Sequence, residues 1–287
     1  MAARATDRLA HDDRVLPLTR AVSLAIIPFL VLAFVVLYVW PRDTDRLFAW
    51  TIKPPLTPMI LGSVYLGGAY FFLRAARASR WHTIKGGFPP VATFATLMGI
   101  ATIVHWQKFN HAHVAFWLWA ALYFTTPFLV AGVWLANRRR EDRSPVDDVV
   151  VPETMARIIG AVGFLAVATS LFLFLFPQRA IDLWPWMLTP LTARVMGAIF
   201  ALGLAATGAF TERRWSAFRI MLQVELLMLV LILVGGIRAA GDLDSSNVLT
   251  WLLAAGFALL LVASIVLYAR MEQRTRSPSA HRKPTRT

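Results

Sequence analysis

The amino-acid sequence predicts an all-α, polytopic membrane protein with about eight transmembrane helices, built as two parallel four-helix repeats. Composition, the lengths of the apolar runs and the alternation of basic residues predict it. Of 287 residues, 57% are hydrophobic and 16% charged, against roughly one quarter charged in soluble domains. So small a polar inventory cannot clothe a core of this size in water. A lipid bilayer removes the need, because lipid-facing side chains are themselves apolar.

Eight stretches are long enough to cross about 30 Å of hydrocarbon at roughly 1.5 Å per residue. They are 19–40, 57–75, 89–106, 113–136, 155–176, 191–210, 216–236 and 248–269. The first is too long for the apolar core of a signal peptide. Val39-Trp40-Pro41-Arg42 follows it where cleavage would need small residues, so it reads as a retained helix. The third, opening after Pro89-Pro90, is the shortest.

Basic residues set the orientation. The chain has 29 Lys and Arg. Seven of them, Arg42, Arg46, Lys53, Lys108, Arg179, Arg194 and Arg238, lie in or beside alternate connections, and all the others cluster at the remaining connections and the two tails. The positive-inside rule then puts both chain ends in the cytoplasm, with the protein in a plasma or inner membrane. A miscounted span would break the alternation.

Setting Trp81 on Trp215 gives a gap-free register of 134 residues that also pairs Lys85 with Arg219 and Trp117 with Trp251. With a one-residue adjustment, Pro55-Leu56-Thr57 meets Pro190-Leu191-Thr192 and Gly62 meets Gly197. Chance rarely aligns Trp, Pro, Gly and a basic residue in order, so the register predicts an internal repeat. The expected organisation is a cytoplasmic tail 1–18, repeat A over 19–137, a linker 138–154, repeat B over 155–270 and a tail 271–287. Polar tails of this kind are expected to lack structure.

Two features concern packing. The external segments Leu47–Pro55 and Leu183–Pro190 combine Trp and Pro, as anchors at headgroup level do. Ala193, Gly197, Ala201, Ala205 and Ala209 recur every four residues, a small-residue seam for close helix approach.

The chain has no cysteine, which excludes disulfides, thiolate metal sites, iron–sulfur clusters and covalently attached haem. A net charge of +13 would suggest nucleic acid in a soluble protein, but here the charge sits in short clusters between apolar runs. No nucleic-acid partner is expected. The expected partner is the bilayer itself, with anionic lipids touching the Arg-rich tails. Nothing in the sequence names a protein partner. Phosphate-binding loops, dinucleotide fingerprints, zinc-protease helices and serine-nucleophile elbows are absent, and no nucleophile–base pair points to an enzyme.

Glu225 is the only acidic residue inside a predicted span, and an intramembrane carboxyl is a functional candidate by default. Gln223 lies nearby on a different face of the same helix. His105, His111 and His113 crowd one external connection, and an extended His-x-His would place two imidazoles on one side, a chelate for zinc or copper or a haem ligand. Asp242 and Asp244 of the matching connection are candidates to join them. His82, beside Trp81, belongs to the cytoplasmic interface. Trp117, Trp119 and Tyr123 suggest packing or lipid contact, or an aromatic lining. The leading expectation is a small-solute or ion transporter using Glu225 and Gln223 along its pathway. Alternatives are a metal- or haem-binding redox or sensory protein using the external histidines, and a non-catalytic membrane subunit or scaffold.

Overall fold

The computed structural model describes residues 13–139 and 148–276. Eight helices in it are long and apolar enough to cross a membrane. They are α1 Pro17–Val39, α2 Leu56–Arg77, α3 Lys85–Val104, α4 Val114–Arg138, α5 Glu153–Leu175, α6 Pro190–Phe210, α7 Trp215–Arg238 and α8 Val248–Arg276. No strand occurs among the described residues; two isolated antiparallel bridges join Arg14 to Arg80 and Val150 to Arg214. The chain is an integral membrane protein, since helices of this kind satisfy every backbone group internally while presenting apolar side chains to lipid.

Because the helices alternate in direction, the starts of the odd-numbered helices share one face of the bundle, the entry face. α2 packs along α1 and α7, and α3 along α4 and α6. α5 lies on α6, and α8 on α7. The α2–α7 and α3–α6 interfaces therefore join the two halves of the chain, and α1, α4, α5 and α8 lie outside.

The same local hydrogen bonds recur in the two halves. Before α1, the Asp13 carbonyl accepts from Trp81 N (2.7 Å); before α5, the Val149 carbonyl accepts from Trp215 N (2.8 Å). Asp13 sits at φ 47°, a left-handed conformation that Asp tolerates, and its carboxylate meets His82 Nδ1 at 2.5 Å. Asp148 accepts from Ser216 Oγ at the corresponding place. On the opposite face, Asn110 N donates to the Ala49 carbonyl and Asp244 N to the Pro185 carbonyl, both at 2.8 Å. Trp117 Nε1 donates to the His111 carbonyl and Trp251 Nε1 to the Ser245 carbonyl, both at 3.0 Å.

Several sequence expectations need correction. Residues 13–18 are not an unstructured tail: Asp13 and Val15 are buried and α1 begins at Pro17. At the other end α8 runs on to Arg276, with Met271 buried. The linker also packs, since Val151 is fully buried; its segment 140–147, like the tails 1–12 and 277–287, lies outside the described residues. His82 is buried, held by Asp13.

The Trp–Pro segments fold inward and are not headgroup anchors. Trp50 is 4% exposed and packs with Phe48, Phe109 and Trp119 at ring distances of 4.7–5.1 Å. Trp186 is buried and donates to Thr57 Oγ1 (3.0 Å). The small-residue seam of α6 is interrupted after Ala201, although Ala209 is again buried. A 3-10 turn over Ala201–Gly203 then shifts the register, and the close approach passes to Gly203 and Ala206. A Cβ on Gly163 of α5 would lie 2.7 Å from the Gly203 carbonyl oxygen and 2.8 Å from Ala206 Cβ.

Candidate functional site

Side chains from all eight helices line one cavity of about 1770 Å³. Its wall is mainly aliphatic and aromatic, with Phe94, Trp184, Met196 and Phe200 among its side chains. The second half supplies an opening. Ile158 and Leu165 of α5 and Leu252 and Leu259 of α8 line the cavity yet are 59–71% exposed. By contrast, α1 and α4 are tied together in the first half: Asn137 accepts from Leu16 N (3.1 Å) and donates to Thr19 Oγ1 (2.5 Å). No hydrogen bond joins α5 to α8 among the described residues.

Glu225 lines this cavity, near the middle of α7. Met221 and Met228 lie four residues before and three after it, so helical periodicity puts all three on one face, and all three line the cavity. Its one hydrogen bond among the described residues comes from Ser264 Oγ of α8, at 3.4 Å. That length is beyond the usual O–H···O range, so the carboxyl is not saturated by protein. Deeper in the cavity wall, Tyr65 and Tyr123 meet hydroxyl to hydroxyl at 2.6 Å.

Gln223 is placed elsewhere. Two residues from Glu225 is about 200° around a helix, and Gln223 faces α2 and α8. Its Oε1 accepts from Tyr70 Oη and Arg74, and its Nε2 donates to Tyr268 Oη, each at 2.8 Å. This is a bridge of three helices near the entry face, and Gln223 does not meet Glu225.

The three external histidines do not converge. The segment turns instead of extending, and each ring takes a separate neighbour. His105 Nε2 accepts from Arg194 of α6 at 2.7 Å. Burial lowers the His105 pKa, and the charges of Arg194 and Lys108 lower it further. The His111 ring packs on Trp106 and Phe116 at 5.1 and 4.6 Å. His113 Nδ1 accepts from Ala115 N and caps α4. Asp242 accepts from Leu56 N at the start of α2 and Asp244 from Ser246, so neither reaches a histidine. Among the described residues, no three His, Cys, Asp or Glu side chains are placed to hold a metal ion.

At the entry face the cavity wall becomes charged. Lys85, Arg138, Glu212 and Arg214 line it, with Trp81 buried beside them. Glu212 accepts from Arg214 Nε (2.9 Å) and lies 3.3 Å from Lys85 Nζ. Burial pushes its pKa up, but the Arg214 hydrogen bonds and the two cations outweigh this and hold it at about 2.

Sequence reasoning reached Glu225 but missed Ser264, Met221 and Met228. The i−4 and i+3 spacing about Glu225 is the signal that finds the two methionines; Ser264 is visible only through packing. No protein-family model, curated protein or solved structure matches the chain.

Proposed function

We propose that the protein is a membrane carrier for small apolar cations, which enter the central cavity from the bilayer and pair with Glu225. The observation that supports this most is the carboxyl of Glu225 at the wall of a large apolar cavity, with a single long hydrogen bond from protein. A carboxylate in such surroundings gains strongly from a cation brought into contact with it. Aromatic faces and flexible Met side chains suit apolar cations of varied shape. The exposed wall residues of α5 and α8 support entry from the lipid side. Gln223 holds helices together and takes no part in binding.

The proposal includes the membrane orientation and ancestry. Both chain ends face the cytoplasm, on the alternation of basic residues, and the halves are duplicated units in the same orientation, on the 134-residue register and the recurring hydrogen bonds.

The test is equilibrium binding and uptake of a fluorescent lipophilic cation such as rhodamine 6G in proteoliposomes. Glu225→Gln is expected to weaken binding by about tenfold or more, the scale of one charge-assisted contact. Equal affinity for Glu225→Gln would remove Glu225 from the site. The Ser264 hydrogen bond favours a second reading, in which Glu225 merely clasps α7 to α8. In that case Glu225→Gln keeps both binding and melting temperature, and only Glu225→Leu lowers the latter.

A further inference from the structure

Glu212, Glu225 and Glu272 differ in the kind of partner each one meets. Glu212, at the entry face, accepts from Arg214 Nε at 2.9 Å and lies 3.3 Å from Lys85 Nζ. Glu272, near the end of α8, accepts from Trp215 Nε1 at 3.1 Å and lies 2.7 Å from Arg219 Nε. Indole, ammonium and guanidinium groups only donate, so both carboxylates are fixed in the ionised form. Glu225 has instead the Ser264 hydroxyl, at 3.4 Å. A hydroxyl donates to a carboxylate and accepts from a carboxylic acid, so this contact suits either form.

Among the described residues, no cation of the protein pairs with Glu225. Along α7, Arg219 is roughly 9 Å of helical rise away and is taken by Glu272. Arg238, at the far end, donates to the Tyr38 carbonyl at 3.0 Å. On α2, Tyr70 and Arg74 both donate to Gln223, on another face of α7, and Tyr65 is hydrogen-bonded to Tyr123. Arg77 is exposed at the end of that helix. On α8, Tyr268 accepts from Gln223, while Arg270, Arg274 and Arg276 are exposed in its last turns. In the α2–α3 connection His82 is held by Asp13. Lys85, Arg138 and Arg214 line the cavity only at its entry-face end.

An ionised carboxylate without a cation is strongly disfavoured against an apolar wall. The empty site therefore needs a proton, and the cation-loaded site does not. We propose that the cation binds in exchange for a proton, which makes the protein a proton-coupled antiporter. The Glu225 O–H bond breaks, its electron pair stays on the carboxylate, and the incoming cation takes the place of the proton. The proton passes to water at the polar end of the cavity, beside Glu212. The site is neutral in both states, as an acid when empty and as an ion pair when loaded. This inference rests on the carrier reading above and adds the coupling ion.

The full-length protein in weakly buffered detergent is titrated with tetraphenylphosphonium, a permanent cation that brings no proton of its own. Calorimetry reads binding, and a pH indicator reads released protons. About one proton per bound cation is expected below the pH at which the empty site ionises, and there the apparent Kd should weaken about tenfold for each pH unit of acidification. Glu225→Asp should keep the release, and Glu225→Gln at saturating cation should release none. Binding without proton release, at one Kd from about pH 5 to about pH 9, would overturn the exchange and leave the carrier standing. Undiminished release from Glu225→Gln with a parental thermal melt would also defeat it, because the proton then comes from another group. Absence of tetraphenylphosphonium binding at every pH would sink the carrier reading and the exchange together.

Discussion

The α3–α4 and α7–α8 turns share a backbone and differ in what fills it. In the first, Lys108 N bonds to the His105 carbonyl and Phe116 N to the His113 carbonyl; in the second, Asp242 N bonds to the Ala239 carbonyl and Thr250 N to the Asn247 carbonyl. Around the first turn, Phe109 and Phe116 pack against Trp50, Trp106 and Trp119. Around the second, Asp244, Ser246, Asn247 and Thr250 bond to one another and to nearby backbone groups. Hydrogen-bond geometry sets the path of a turn, while its filling decides how firmly the helix pair is held. The first half is closed by apolar packing and by Asn137; the second is left open between α5 and α8, where the cavity meets lipid.

Three substitutions test that contrast. Phe116 is fully buried, so Phe116→Ala should cost about 3–5 kcal/mol, whereas Thr250→Ala at the matched position should cost only about 1 kcal/mol. Melting temperatures in detergent measure both, and equal losses would break the contrast. Asn137→Met places at the end of α4 the residue that the 134-residue register finds in α8, Met271. It leaves Leu16 N without its acceptor, at about 1–3 kcal/mol, and should raise amide exchange at the start of α1.

The smallest effect concerns acid. The folded pKa of His105 lies below the ordinary imidazole value, so the unfolded chain takes the proton first as pH falls. The contribution of His105 is intact above about pH 6.5 and declines as pH drops through the folded pKa. Ala239, its counterpart, does not titrate. Amide protection over 105–113, taken relative to the intrinsic exchange rate at each pH, should therefore fall between about pH 7.5 and about 5.5 more than over 239–247, and His105→Asn should remove the difference.

Helix number is legible in the sequence because run length reports on the bilayer directly. The eighth helix overran its apolar stretch because Arg219 and Trp215 hold Glu272 against α7 beyond the hydrocarbon, a tertiary contact that hydropathy does not register. Trp50 and Trp186 read as interfacial because tryptophan is common there; that they turn inward depends on partners far away in sequence, Trp119 and Thr57. The histidine cluster misled because His-x-His converges only on extended chain, and His113 is the cap of a helix. Glu225 was visible as a rare charge in an apolar run, but its cavity is a property of eight helices together.

The bonds from Asp13 to Trp81 and from Val149 to Trp215 span 68 and 66 residues respectively. A chain made from its N-terminus at roughly 5–20 residues per second reaches Trp81 well before α5 exists. The first strap can therefore fasten the head of α1 to the α2–α3 connection while the ribosome is still writing α4. The second repeats the act a half later, once α5 and α6 have been made, and the rest of α7 then follows to meet α2. Assembly order is thereby written into two short bridges: each half is tied at its own waist before α7 joins them.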